Sequence, residues 1–181
     1  GPMTVLGLDP ARGGVDKTCA ARRHGTWFDE MLQVPGVVTK DGPTAAAFVA
    51  PLVRNGAYIA VDAIGIGSSA LDFIKGLGLP VHPVVGSEGS PATDVTGNLR
   101  FKNRRAEMYW RLREALDPTN PKPIALPPDQ ELLGDLAAVR YKVVQMGKSL
   151  AGIQMRDKDE IREVLGRSPD KGDAVAMTFV D

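Results

Sequence analysis

An apolar run that ends on a single carboxylate occurs twice, and this repetition constrains the fold more than any other feature of the chain. Val5-Leu6-Gly7-Leu8 leads to Asp9 and is stopped by Pro10 and the pair Gly13-Gly14. Tyr58-Ile59-Ala60-Val61 leads to Asp62 and is followed by Gly65-Ile66-Gly67. Each run reads as a short buried strand bounded by turn residues. A third acidic segment, Ser168-Pro169-Asp170-Lys171-Gly172-Asp173-Ala174, opens a final apolar helix. Separated acids that each stand at the end of an element suggest one site.

The intervening sequence places the two strands. Thr18-Cys19-Ala20-Ala21-Arg22 and residues 26–33 read as strands around a turn at His24-Gly25, forming an antiparallel meander with the first. Pro43 and Thr44 open a helix to about Asn55, which Pro51 shortens or kinks. A strand-helix-strand connection of this length sets the Asp62 strand parallel to its neighbour by a right-handed crossover. If that neighbour is the first strand, Asp9 and Asp62 emerge together at the carboxyl edge, where open α/β sheets bind ligands.

Further along, Ser68 or Ser69 caps a helix to Ile74, residues 81–85 form a strand, and residues 86–97 form a mobile loop. Residues 101–116 read as a basic helix, in which Arg100, Lys102, Arg104, Arg105, Arg111 and Arg113 outnumber Glu107 and Glu114. A proline-rich link, a helix capped by Asp129, a hairpin over 140–155 and a helix opening at Asp157 follow. Gly147-Lys148-Ser149 at the hairpin turn is no P-loop, because Lys142 stands where that motif needs its first glycine. The final helix runs from Pro169 or Asp170 to Phe179, with Asp173 on its packed side. The expected fold is therefore α/β: a central mixed sheet of three antiparallel and then parallel strands, flanked by helices, with an additional β-hairpin.

Composition narrows the function. With 181 residues and 43% hydrophobic content the chain supports one core, expected over residues 3–181, with Gly1-Pro2 a cleavage remnant. Twenty-two basic and 22 acidic residues argue against a protein that coats nucleic acid by charge alone, so any such binding rests on local clusters. The single cysteine, Cys19, forbids an internal disulfide and reads as a small core residue. No apolar run approaches the roughly 18 residues of a membrane span, and a reducing cytoplasm is the default.

Gathering Asp9, Asp62 and Asp173 is unfavourable unless protons or cations neutralise them. Oxygen ligands without a supporting Cys or His cluster select hard cations, above all Mg²⁺ or Mn²⁺. A pair of such ions activates water and stabilises the leaving oxygen in phosphodiester hydrolysis.

Four segments in order, Gly7-Leu8-Asp9-Pro10-Ala11-Arg12-Gly13-Gly14, Val61-Asp62-Ala63-Ile64-Gly65-Ile66-Gly67, Phe101-Lys102-Asn103-Arg104-Arg105-Ala106-Glu107 and Ser168-Pro169-Asp170-Lys171-Gly172-Asp173-Ala174, resemble the nuclease domain of tailed-bacteriophage terminase large subunits. The resemblance spans nearly the whole chain. It implies an RNase H-like fold and a metal-dependent endonuclease that cuts concatemeric viral double-stranded DNA during packaging. By motif position it makes Asp9, Asp62 and Asp173 the catalytic ligands of two divalent cations, Mg²⁺ or Mn²⁺. Asp170 is then a capping or outer group, Asp16 a loop-surface residue, and Lys102, Arg104, Arg105 and Lys158 contacts to the DNA backbone. It also implies an ATPase domain elsewhere in the full-length chain, small terminase subunit and portal as partners, no membrane, and action in the host cell cytoplasm. Two rival readings are another RNase H-like nuclease, such as a Holliday-junction resolvase, and a non-catalytic DNA-binding or docking module. An actin-like sugar kinase needs a second, duplicated domain for which this length leaves no room.

Overall fold

The structure, a computed structural model, describes residues 1–11 and 13–180; Arg12 of the first motif lies outside the described residues. Strand β1 (Val5–Asp9) is antiparallel to β2 (Lys17–His24), and β2 carries both β3 (Trp27–Phe28) and β4 (Leu32–Pro35). The single strand expected over residues 26–33 is thus divided. At the break Asp29 turns its carboxylate onto its own chain, accepting from Glu30 N at 2.8 Å, and pairs with Arg22 at 2.9 Å. Short polar side chains that bond the local backbone interrupt ladders in this way.

Helix α1 (Gly42–Val49) starts on a capping box between Asp41 and Thr44 and gives way to a 3₁₀ turn at Ala50–Leu52, where Pro51 lacks the amide needed to continue. Asn55 and Gly56 then reverse the chain with φ of 58° and 71°. Strand β5 (Tyr58–Asp62) runs parallel to β1, and after α2 (Ile66–Gly76) strand β6 (Val81–Val84) adds parallel to β5. The sheet order is β3-β2-β1-β5-β6. Helix α2 begins earlier than its serines suggest, because Gly65, at φ 62°, serves as its amino-terminal cap.

A second sheet, ordered β7-β9-β8, joins the expected hairpin of β8 (Tyr141–Gln145) and β9 (Ala151–Met155) to β7 (Leu99–Phe101). Phe101 therefore belongs to a strand, and α3 (Arg104–Leu116) starts later, capped by Asn103. Residues 86–97, expected as a mobile loop, are tied to α3: Arg104 N donates to Glu88 O, Arg105 N to Gly86 O, and Ser90 Oγ to Glu107. Helices α4 (Gln130–Ala138) and α5 (Lys158–Leu165) carry Asp129 and Asp157 as caps, and α6 (Asp170–Met177) is buried along its length.

Strand alternation sorts the core. Leu6, Leu8, Ile59 and Val61 pack with Ala45, Val49, Ala70 and Ile74 of α1 and α2. Val5 and Ala60 pack on the other face with Ala174 and Val175 of α6. A Cβ added at Gly7 would lie 2.0 Å from the carbonyl oxygen of Ala174, so only glycine lets α6 lie this close to β1. No helix among the described residues is long and apolar enough to cross a membrane.

Candidate active site

The same alternation that faces Gly7 and Ala60 toward α6 does so for Asp9 and Asp62, two residues further along each strand. The parallel register pairs Gly7 with Ala60 and Leu8 with Val61, so its next step sets the two aspartates side by side, about 4.8 Å apart in backbone. Helix α6 contributes Asp170 and Asp173, which share one side of its first turn by their spacing of three. Asp9, Asp170 and Asp173 are buried.

Each carboxylate has a different environment. Burial pushes the Asp9 carboxyl well up; nearby Lys158 opposes this, while Asp173, Asp170 and Asp62 add to it. Burial also raises Asp62, against the amide of Ile64, which donates to Oδ1 at 3.1 Å, and against Lys158. Asp170 is raised by burial as well, although Lys17 N donates to its Oδ2 at 3.2 Å and ties the helix start to β2. Asp173 is driven up by burial but held below the ordinary range by Arg105 and then Lys158. Arg105 reaches Oδ1 at 3.0 Å, Tyr109 donates to the same oxygen, and Lys158 Nζ stands 2.6 Å from Oδ2. Lys158 is thus the close cationic partner of Oδ2, while Oδ1 is shared by Arg105 and Tyr109. Burial disfavours the charge on both Arg105 and Lys158, yet Asp173 outweighs it and raises both above their usual values.

A cavity of about 330 Å³ opens over this edge, lined among others by Asp62, Asn103, Arg105, Gln154, Lys158 and Asp173. Among the described residues no three His, Cys, Asp or Glu side chains stand at the spacing of a formed metal centre. Asp173 is committed to Arg105, Tyr109 and Lys158, and the Lys158 ammonium stands as the cation beside Asp9 and Asp173. The donor set nonetheless fits a hard divalent ion. It is all oxygen, and its acids Asp9, Asp62, Asp170 and Asp173 outnumber the cations Lys158 and Arg105.

The remaining expected residues are distributed around this centre. Lys102 is exposed. Arg104 pairs with Glu107 at 3.3 Å, and Asp16 faces Arg162 at 3.5 Å. Arg105 and Lys158, expected on phosphate, spend their charge on Asp173, with side-chain exposures of 17% and 32%. Sequence reasoning missed Tyr109 as a partner of Asp173, because its place on an apolar helix stripe read as packing. It also missed Asp135, fully buried, which accepts from Arg167 and from Gly172 N at 3.0 Å and so fastens α4 to the first turn of α6. The signal for Asp135 was present: an acid spaced three from Leu132 on an otherwise apolar face.

No protein-family model and no curated protein matches the sequence. Solved structures do match. The nuclease domain of the large terminase subunit of bacterial virus Sf6 aligns with TM-score 0.76 and 18% identity over 99% of this chain and 88% of that one. The large terminase nuclease of thermophilic phage G20c, solved with bound magnesium, aligns with TM-score 0.60 and 14% identity over 98% of this chain and 80% of that one. A mutant of the Sf6 domain has been solved with manganese. At these identities the likeness speaks for architecture: the chain has the RNase H-like fold of the large terminase nuclease domains of bacterial viruses.

Proposed function

We propose that residues 3–181 are the nuclease domain of a phage terminase large subunit, a divalent-metal-dependent endonuclease acting on double-stranded viral DNA during packaging. The observation that carries this reading is the gathering of Asp9, Asp62, Asp170 and Asp173 at one sheet edge with fewer cations than acids, in a fold shared with nucleases solved with magnesium or manganese. Asp9, Asp62 and Asp173 would hold a pair of Mg²⁺ or Mn²⁺ ions, which supply Lewis-acid activation of water and neutralise charge at phosphorus.

The chain's own residues do the rest. Asp9, fixed on the strand that joins the antiparallel and parallel halves of the sheet, lies within electrostatic reach of the other three acids and would share in holding the ions. Asp170 anchors the start of α6 through Lys17 N, which steadies Asp173 one turn later. Arg105 and Tyr109 fix the orientation of the Asp173 carboxylate. Lys158 and Arg105 also present positive charge to an entering phosphate, and exposed Lys102 extends that charge without reading sequence. An ATPase domain elsewhere in the full chain, a small subunit and a portal complete the proposed setting, in the host cytoplasm.

The test is nicking and linearisation of supercoiled plasmid with Mn²⁺, Mg²⁺ or EDTA, for wild type and Asp9→Asn. Wild type is expected to cut only with the divalent ion. The variant should lose more than about a hundredfold, beyond the 10–100-fold typical of residues that merely orient a ligand. Cutting in EDTA, or an unimpaired variant, would defeat the proposal.

A further inference from the structure

Beside the acid site, a second hollow of about 540 Å³ lies between α3, the end of α4 and the hairpin. A smaller hollow connects the two: it shares Gln154, Met155, Arg156 and Asp157 with the acid-site cavity, and Arg140, Tyr141 and Met155 with the second hollow. Walls common to successive hollows make a path away from the acid edge.

The chemistry of that path is aromatic and cationic. Trp110 and Tyr141 meet edge to face with centroids 4.9 Å apart, and the indole N–H is already spent on Glu114 at 2.9 Å. Trp110 is therefore fixed, while Tyr141, on the edge strand β8, remains 48% exposed. The Arg113 guanidinium lies 4.6 Å from the Trp110 centroid and 5.9 Å from that of Tyr141. Arg113, Arg140 and Lys142 have no acidic side chain at ion-pair distance among the described residues. The acids along the path are otherwise engaged: Asp117 by the amide and hydroxyl of Thr119, Asp157 as the cap of α5, and Glu160 by Arg156 at 3.8 Å. Leu112, Leu116 and Val139 make the floor apolar.

We propose that this hollow receives one unpaired nucleobase of the substrate strand, stacked on Tyr141, with the flanking phosphates on Arg113, Arg140 and Lys142. An exposed ring supplies a stacking face for any base, and cations without an acidic partner at ion-pair distance supply sequence-independent phosphate contacts, Arg140 being steadied by the carbonyl of Ala137 at 2.7 Å. The volume suits one base with its sugar, not a duplex. The inference rests on the nuclease reading and adds to it a place for a strand that is locally single.

Binding is measured on the Asp9→Asn protein at fixed salt, with fluorescent DNA that is either a blunt duplex or the same duplex with a short single-stranded overhang. The overhang should bind more tightly by about five-fold or more, the effect of one base stacked on an aromatic ring. Tyr141→Ala and Tyr141→Leu should abolish that preference and leave blunt-duplex affinity unchanged, whereas Tyr141→Phe should keep it. The leucine variant retains bulk against Trp110, so folding and stacking are separated. Equal affinities for the two DNAs in the parent, or a preference that survives both non-aromatic variants, would overturn the proposal. Because binding is read without cleavage, that result is independent of whether wild type cuts plasmid. Absence of cutting would instead remove the nuclease reading.

Discussion

Two groups of acids meet the first turn of α6, and they are built on opposite principles. In one, Asp129, Glu131 and Asp135 of the α4 region are supplied by the protein. Lys171 Nζ reaches Asp129 at 2.7 Å and Glu131 at 3.2 Å, while Asp135 takes Arg167 and Gly172 N. Burial lifts all three; the Lys171 hydrogen bonds win at Asp129 and Glu131, whose carboxyls lie below their usual range, while deeply buried Asp135 stays raised although Gly172 N and Arg167 oppose it. In the other group Asp9 accepts no hydrogen bond among the described residues, and Asp62 accepts only that of Ile64 N. Their carboxyls are raised chiefly by burial. A buried acid with donors is structure; a buried acid without them is short of a cation.

This contrast breaks most visibly under deletion of one acid from each group. Asp135→Ala should cost about 2–4 kcal/mol of stability, since it strands an amide and a guanidinium, with Arg167 partly rescued by solvent. Asp9→Asn, by removing a charge crowded by three other carboxylates, should instead stabilise the metal-free protein by up to about 1 kcal/mol. Urea unfolding in EDTA measures both, and shifts of the same sign would erase the distinction.

A smaller effect sharpens it. If the Lys158 ammonium stands in for a missing ion, Lys158→Ala should strengthen Mn²⁺ binding about tenfold, roughly 1.4 kcal/mol, by calorimetric titration. Weaker binding would mean that Lys158 organises the site and does not compete for it.

The smallest effect concerns the satisfied group. Because Asp129 and Glu131 titrate lower in the folded state, the unfolded chain binds more protons, and their contribution to stability is complete above about pH 4.3. It is lost as pH falls through the depressed values. Lys171→Met should therefore be less stable than wild type by under about 1 kcal/mol at neutral pH, with the gap closing on acidification. A gap that stays constant down to about pH 2.5 would show that Lys171 acts by packing.

Much of this was legible in the sequence, for identifiable reasons. The runs to Asp9 and Asp62 and the caps Asp129 and Asp157 are local signals, and they gave the strands, helix starts and shared sheet edge. Strand β7 was not legible, because its partner β9 lies far along the chain and Phe101 continues the helical pattern of the following residues. The fate of Arg105 and Lys158 was hidden too, since both read as cations for the DNA backbone and nothing local ties either to Asp173. Lys158 did carry a hint: it occupies the first position of α5, where the helix dipole disfavours a cation unless an acid compensates it.

Gly7 bears on all of this without touching any ligand. Its missing side chain fixes how near the terminal helix can settle on the central strand, and hence the gap between acids carried by separate elements. On the nuclease reading, that gap would act as a gauge for ionic radius. A methyl group there would wedge the helix outward and detune the gauge while leaving every carboxylate in the chain.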